Sequence, residues 1–280
     1  MTSLISYPTF LVIGAQKCGT SWIGEMVGQH PQVAVARTKE VHFFNNSNNF
    51  KKGIKWYSDH FSITPETKAA GEFTPNYFWT SEDDKEIEES CRTRNIPALV
   101  QSILPDLQLI ISLRDPVDRA VSAYYHHIRA GRIRPTQGLL EMAGHFGIET
   151  MGYYDIHLSK WFDYYPRDKF LILFYEEDLK DDQKPVTLNR IFRHIGVDES
   201  FKPKGIAQRY NPRYSYLEMH VAHYPRIIKK VIRYFVPYRL KMSRRWEIVV
   251  QEEEKNTLRE RYREHNANLS EMLRRKLPWT

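Results

Sequence analysis

The stretch Phe10-Leu-Val-Ile-Gly-Ala-Gln-Lys-Cys-Gly-Thr-Ser-Trp22 decides the fold. Its first four residues form a short apolar run with β-branched members, which is typical of a buried parallel strand. The pattern breaks between Gly14 and Gly19 and resumes with helical spacing from Thr20. A strand, a glycine-bounded loop and a helix start together predict an anion-binding cradle, because the unpaired N–H groups and the dipole of a helix N-terminus attract negative charge.

This loop matches a Walker A phosphate-binding loop only in part. Gly14 and Gly19 have the Walker A spacing, but Thr20 stands where that motif has its lysine. The lysine lies inside the loop instead, at Lys17, where we expect it beside the terminal group of the anion and its bridging oxygen. The loop alone leaves two other interpretations open: an ordinary strand-turn-helix with a chance lysine, and a degenerate nucleotide kinase loop.

The composition predicts one large globular domain over residues 1–280. Hydrophobic residues make up 41% and charged residues 27% of the chain, and the net charge of +7 favours anionic partners. Cys18 and Cys91 are the only cysteines, which makes a disulfide scaffold or a zinc site improbable. Neither a signal peptide nor an apolar run of membrane-spanning length is visible, so we expect a cytoplasmic, reduced protein.

Four further apolar runs predict the remaining strands. They lie at residues 32–36, from residue 68 onward, at 107–113 and at 169–175. The second strand runs into Glu40 and His42, which are candidate general bases, because the carboxyl ends of strands in open α/β sheets face the ligand crevice. A loop salt bridge for Glu40 and a structural role for His42 are the alternatives.

The fourth predicted strand ends in Arg114, where a Walker B strand would end in a metal-binding acid. A guanidinium offers a rigid fork for a phosphate and keeps its charge. Ser122 lies eight residues further on, about two turns into the next helix, where its hydroxyl could share the same phosphate. A structural pair between Arg114 and Asp115 is the alternative.

Together these segments resemble the sulfotransferases that use 3′-phosphoadenosine 5′-phosphosulfate (PAPS). Residues 17–22 look like the 5′-phosphosulfate loop of that family, and residues 114–122 match its 3′-phosphate signature, Arg-Asp/Asn-Pro-x-x-Arg-x-x-Ser. The resemblance runs from about Phe10 to Trp279. It implies a P-loop-kinase-like α/β fold, with a parallel sheet of about five strands flanked by helices, PAPS as co-substrate, the desulfated nucleotide PAP as product, and no metal. The cofactor-binding residues that it implies are Lys17, Cys18, Gly19, Thr20, Ser21, Trp22, Arg114, Ser122, Tyr154 and Arg209.

Residues 37–45 resemble one branch of the family, the heparan sulfate glucosaminyl sulfotransferases and their bacterial relatives. That resemblance implies Glu40 as the catalytic base and leaves His42 as the second candidate. Asn45 stands where several heparan enzymes have an aspartate, which weakens acid support for His42. Phe73 replaces the lysine of the family pattern Gly-Glu-Lys-Ser/Thr-Pro-x-Tyr, and this argues against heparan as the acceptor.

The function implied by the resemblance is in-line transfer of a sulfuryl group from PAPS to a hydroxyl or amine of a saccharide, lipid or carrier-bound acceptor. Lys17 would offset charge on the leaving oxygen. A small-molecule kinase using ATP and Mg²⁺ stays open, although the shifted Lys17 and Arg114 argue against it. A non-catalytic protein that binds PAPS or polyanions also stays open, although Glu40 together with Lys17 argues against that.

A basic helical segment is predicted at about residues 201–245, with twelve Lys or Arg residues against one acid, Glu218. Apolar residues from Ile227 to Phe235 give it an amphipathic pattern. Such a helix could contact an acidic carrier protein, an anionic polymer or a membrane surface, or could be a solvated helix that covers the core. No nucleic-acid partner is expected.

Overall fold

The computed structural model describes residues 7–80, 95–208, 216–222, 224–237 and 247–280. The chain divides into two compact units. The first unit contains Met1–Asp115, Tyr154–Gln208 and Lys276–Thr280, and the second contains Pro116–Tyr153 and Arg209–Arg275. The single domain expected from the sequence stays a prediction.

A five-stranded parallel sheet forms the centre of the first unit. Its strands are β1 (Phe10–Gly14), β2 (Val33–Val35), β3 (Ala69–Phe73), β4 (Gln108–Leu113) and β5 (Phe170–Phe174). The strand order is β2-β3-β1-β4-β5, and every neighbouring pair is parallel. Strands β1 and β3 are buried along their whole length, as central strands covered on both faces must be. The predicted α/β fold is therefore confirmed.

The strand order places a topological switch point between β1 and β4. From β1 the chain continues toward β2 and β3 on one side of the sheet, and from β4 it continues toward β5 on the other side. Ligands of open α/β sheets bind in the crevice outside the carboxyl ends of the strands at such a point. The two exits that meet here are the glycine-bounded loop after β1 and Arg114 after β4.

Twelve α-helices lie within the described residues. In chain order they are α1 (Thr20–Val27), α2 (Ser47–Phe50), α3 (Gly53–Ser58), α4 (Ile96–Ile103), α5 (Pro116–Arg129), α6 (Leu139–Met142), α7 (Tyr154–Phe162), α8 (Tyr175–Asp178), α9 (Lys184–His194), α10 (Tyr216–His220), α11 (Arg226–Phe235) and α12 (Glu252–Leu273). Among the described residues, no helix is both long and apolar enough to cross a membrane.

The second unit has its own core between α5 and α12. Tyr124 of α5 belongs to the same buried cluster as Leu258 and Tyr262 of α12. Arg119 is fully buried and donates to the backbone carbonyl oxygens of Gly147 and Ile148. This second arginine of the 3′-phosphate signature therefore holds a loop of its own unit in place.

Candidate active site

The loop between β1 and α1 is fixed to the end of β4. The backbone N–H of Ala15 donates to the carbonyl of Ser112 over 2.8 Å, and the Ser112 hydroxyl donates to the carbonyl of Cys18 over 2.7 Å. Gly19 packs so closely that an added Cβ would lie 2.3 Å from a methyl of Leu179. The two hydrogen bonds and the close packing at Gly19 together fix the shape of the loop.

Left-handed backbone conformations direct the loop into the start of α1. Lys17 has a φ of 70° and Gly19, the N-cap residue, a φ of 86°. The first helical hydrogen bond begins at the N–H of Trp22. Within the part of the chain that the structure describes, the N–H groups of Gly19, Thr20 and Ser21 meet no protein acceptor. These donors, at the positive end of a helix dipole, are arranged as an anion-binding site requires, and the binding of an anion there stays a prediction.

The first turn of α1 is also held from the other side. The indole N–H of Trp22 donates to the carbonyl of Ile206 over 3.0 Å, and the Trp22 side chain is buried. The ammonium of Lys184 lies 5.5 Å from the centre of the Trp22 ring and 2.6 Å from a carboxylate oxygen of Asp181. Lys184 is a buried cation beside the candidate nucleotide loop, and the sequence analysis assigned it no role.

The candidate base segment is the stretch of residues 37–45 that contains Glu40 and His42. It contacts the loop through Lys39, whose ammonium lies 3.2 Å from the Ser21 hydroxyl. Next to it, Nε2 of His42 lies 3.2 Å from Oε2 of Glu40, and Nδ1 of His42 lies 3.1 Å from the amide oxygen of Asn45. Each ring nitrogen thus faces an oxygen acceptor, as a doubly protonated imidazole requires. The hydrogen bond to Glu40 is the main cause of a raised His42 pKa, against the opposing effect of burial.

Buried aromatic residues fix this segment to the core. The backbone N–H groups of Phe43 and Phe44 donate to the Tyr77 hydroxyl over 2.8 and 3.3 Å. The Phe43 ring stacks on Tyr57 of α3 with 4.5 Å between centroids. Phe43 and Phe44 are buried in the core, whereas the preceding residue, His42, is partly exposed beside Glu40.

Glu72, near the end of β3, is a fully buried carboxylate beneath the same segment. Burial raises the pKa of Glu72 to about 7, while the hydroxyls of Tyr57 and Tyr77 oppose this rise. Neither carboxylate oxygen makes a hydrogen bond of normal geometry with the described residues. The charge of Glu72, when present, in turn raises the pKa of His42. Glu72 matches the glutamate of the family pattern Gly-Glu-Lys-Ser/Thr-Pro-x-Tyr, but the sequence indicated no role for it.

Arg114 leaves β4 at the other side of the switch point. Its guanidinium carbon lies 4.8 Å from the centre of the Tyr175 ring, and its carbonyl accepts a hydrogen bond from the Tyr154 hydroxyl over 3.0 Å. The same hydroxyl lies 3.8 Å from the sulfur of Cys18. Tyr154 is therefore a buried link between the loop and the exit of β4. Its contact with a cofactor stays a prediction.

The family model described as Sulfotransferase domain matches residues 7–231 of this chain. The chain belongs to the sulfotransferase family. The family and the enzyme class expected from the sequence are thereby confirmed.

Curated relatives of this sulfotransferase include heparan sulfate enzymes. Heparan sulfate glucosamine 3-O-sulfotransferase 5 of Mus musculus is 28% identical over 179 residues, which cover 59% of this chain and 47% of that protein. Bifunctional heparan sulfate N-deacetylase/N-sulfotransferase 4 of Mus musculus is 30% identical over 225 residues, which cover 73% of this chain and 23% of that protein. The sulfotransferase thus spans about half the length of the first of these relatives and less of the second.

A crystal structure of a sulfotransferase from Alicyclobacillus acidocaldarius has a similar fold. It is 21% identical, with a TM-score of 0.59, over 85% of this chain and 95% of that chain. At this identity the likeness supports the shared α/β fold alone.

The other positions named from the sequence are Ser122, Arg209 and Phe73. Ser122 is half-buried in α5 and belongs to the second unit. Arg209 lies outside the described residues. Phe73 is buried and packs edge-on against Phe10, with 6.0 Å between ring centroids, so position 73 of this sulfotransferase contributes to the core. No three His, Cys, Asp or Glu side chains of the described ranges are grouped as metal ligands.

Proposed function

We propose that this sulfotransferase moves a sulfuryl group from PAPS to a hydroxyl or amine of an acceptor. The contact between Lys39 and Ser21 carries the proposal, because it joins the anion-binding loop to the candidate base segment. The loop fits a 5′-phosphosulfate, since the N–H groups of residues 19–21 donate to no acceptor among the described residues and Lys17 lies in the same turn. PAPS supplies the sulfuryl group, and the protein binds, orients and stabilises.

Each reacting group has a proposed role. Glu40 accepts the proton that the acceptor hydroxyl or amine loses as its oxygen or nitrogen bonds to sulfur. The bond between sulfur and the bridging oxygen breaks, and that oxygen keeps the electron pair as part of the 5′-phosphate of PAP. Lys17 offsets the negative charge that develops there, which is most valuable in the transition state. Arg114 binds the 3′-phosphate, as the signature implies.

His42 has a positioning role in this proposal. Its raised pKa favours the imidazolium, and an imidazolium that donates to Glu40 holds the carboxylate in one orientation. Only the neutral imidazole could accept a proton itself. Glu40 is therefore the preferred base, and His42 is the second candidate.

We propose an acceptor other than heparan, within the saccharide, lipid and carrier-bound classes. The family pattern that the sequence resembles has a lysine where this chain has Phe73, and Phe73 is buried in the core. A buried phenylalanine offers no charge to an acidic sugar chain. The cations beside the loop, Lys17 and Lys39, are assigned to the phosphosulfate end of the site.

The test combines nucleotide binding with group transfer. PAP should raise the melting temperature strongly, ADP weakly, and ATP with Mg²⁺ no more than ADP. Labelled PAPS should then transfer its sulfuryl group to at least one acceptor of a panel of saccharides, hydroxylated lipids and carrier-bound hydroxyacyl groups, with EDTA present. Lys17→Ala should abolish transfer, whereas Lys68→Ala, an exposed lysine before β3, should not. Stabilisation by ATP with Mg²⁺ above that by PAP would contradict the proposal.

A further inference from the structure

Helix α11 (Arg226–Phe235) exposes its apolar side chains to solvent. Ile227 is 77% exposed, Tyr234 71% and Phe235 78%. Among the described residues, six of the eleven exposed large hydrophobic side chains fall within residues 224–235. Scattered apolar residues are normal on a protein surface, but a contiguous group of this kind marks an interaction surface.

The helix separates apolar from basic positions completely. At about 100° per residue, its apolar positions fall in one arc about 160° wide, and its basic positions fall in the opposite arc. The apolar arc, called the α11 face below, consists of Ile227, Ile228, Val231, Ile232, Tyr234 and Phe235. The basic arc consists of positions 226, 229, 230 and 233, and the helix contains no acidic residue.

We propose that the α11 face docks onto an anionic membrane surface, with the helix lying in the plane of the interface. Twelve basic residues against one acidic residue over residues 201–245 give the charge complementarity that anionic lipid headgroups require. Ten residues extend only about 15 Å, far less than a hydrocarbon core, so the helix lies on the membrane and does not span it. Aliphatic and aromatic side chains enter the headgroup boundary, and the long basic side chains extend from the opposite arc back toward the headgroups.

A second copy of the chain fits this surface less well than a membrane does. Two α11 helices that packed face to face would leave both sets of four basic positions on their outer sides, where the partner helix offers them no acidic residue. A second copy therefore leaves these charges uncompensated, whereas anionic lipid headgroups attract them. A membrane also accepts the exposed aromatic residues Tyr234 and Phe235 without a matching groove.

The experiment is co-sedimentation of the full chain with vesicles of phosphatidylcholine alone and of phosphatidylcholine with about one third phosphatidylserine. The apolar test variant is Ile227→Ser with Phe235→Ser, and its matched control is Val186→Ser, an exposed apolar position of α9. The charge test variant is Lys230→Glu, and its control with the same change in net charge is Lys68→Glu. Circular dichroism of each variant checks that the fold is retained.

We expect binding to the anionic vesicles, with the bound fraction falling about tenfold in the double serine variant and several-fold in Lys230→Glu. The two controls should bind like wild type, and about 0.5 M salt should weaken binding. Equal binding to neutral and anionic vesicles, or no loss in the double serine variant, would overturn the proposal. A concentration-dependent dimer that disappears in the same variant would assign the face to a second copy and would overturn it as well.

Discussion

Replacing Glu72 by glutamine should reduce the dependence of stability on pH. Glu72 is fully buried, and burial raises the pKa of its carboxyl from the usual 4.5 to about 7. Below the lower value both the folded and the unfolded state hold the proton. As pH rises, the unfolded chain releases it first, so folding stability is lost progressively until the folded state also ionises.

The size of this loss follows from the difference between the two pKa values. Each tenfold difference in proton affinity is worth about 1.4 kcal/mol, so a pKa of about 7 instead of 4.5 corresponds to about 3 kcal/mol. Glutamine keeps the shape of the side chain but does not ionise. The free energy of unfolding of Glu72→Gln should therefore rise by about 3 kcal/mol relative to that of wild type as the pH passes from the lower to the higher of these pKa values. The raised pKa of His42 also makes stability fall as pH rises. His42 is present in both proteins, so its effect largely cancels in the difference between them.

Urea unfolding followed by circular dichroism, from about pH 4.5 to about pH 8.5, measures this difference. Glu66→Gln is the control, because Glu66 is an exposed glutamate six residues earlier in the chain. The difference between Glu72→Gln and wild type should grow with pH, while that of Glu66→Gln should not grow comparably. A flat difference would refute the reasoning, because it would mean that Glu72 has the same protonation state in the folded and unfolded chains. If that flat difference were a loss of stability, lost packing would be its cause.

Three further predictions concern the candidate site. Arg114→Ala should remove most of the extra stabilisation by PAP over ADP, about 2–4 kcal/mol in nucleotide affinity, as measured by titration calorimetry. Equal affinities of the wild-type protein for PAP and ADP would contradict this assignment. Glu40→Gln should lower turnover by about 10²–10⁴ and leave PAP affinity near wild type, while His42→Ala should cost less; the opposite order in transfer assays would reverse the two roles. Gly19→Ala should lose more than the about 1–2 kcal/mol expected of a left-handed backbone alone, because its Cβ would meet a leucine methyl at 2.3 Å. Gly196→Ala, with a φ of +74° and no neighbour within 4 Å, is its control, and equal losses in urea unfolding would contradict the steric argument.

The strands and the anion-binding loop could be predicted because their signals are local in the sequence. A continuous apolar run followed by glycine and helical spacing placed the start of β1 at Phe10 and the start of α1 at Thr20, and the structure has both there. The second strand was expected at residues 32–36 and is shorter, Val33–Val35. It lies at the edge of the sheet, where only one neighbour defines its length.

The residues that complete the site could not be predicted, because their contacts join segments far apart in the chain. Lys39 meets Ser21 across 18 positions, and the Tyr175 ring lies under Arg114 from a segment about sixty residues later. Lys184 reaches Trp22 only because α9 packs near α1. A one-dimensional pattern records residue type and spacing, but it does not record which side chains the folded sheet brings together.

The structure nevertheless marks the site by residues that depart from their usual backbone conformation or burial. Lys17 and His42 adopt left-handed φ values of 70° and 54°, which side chains other than glycine rarely adopt. Glu72 places a carboxylate in a buried strand, against the apolar pattern of its neighbours. Among the described residues, Phe146 and Arg274 of the second unit also have positive φ, so such strain alone does not identify a site. What distinguishes Lys17, His42 and Glu72 is that each costs stability beside the loop or the candidate base. Residues that oppose folding in this way persist where the surrounding structure holds them for another purpose, which agrees with the roles proposed for this edge of the sheet.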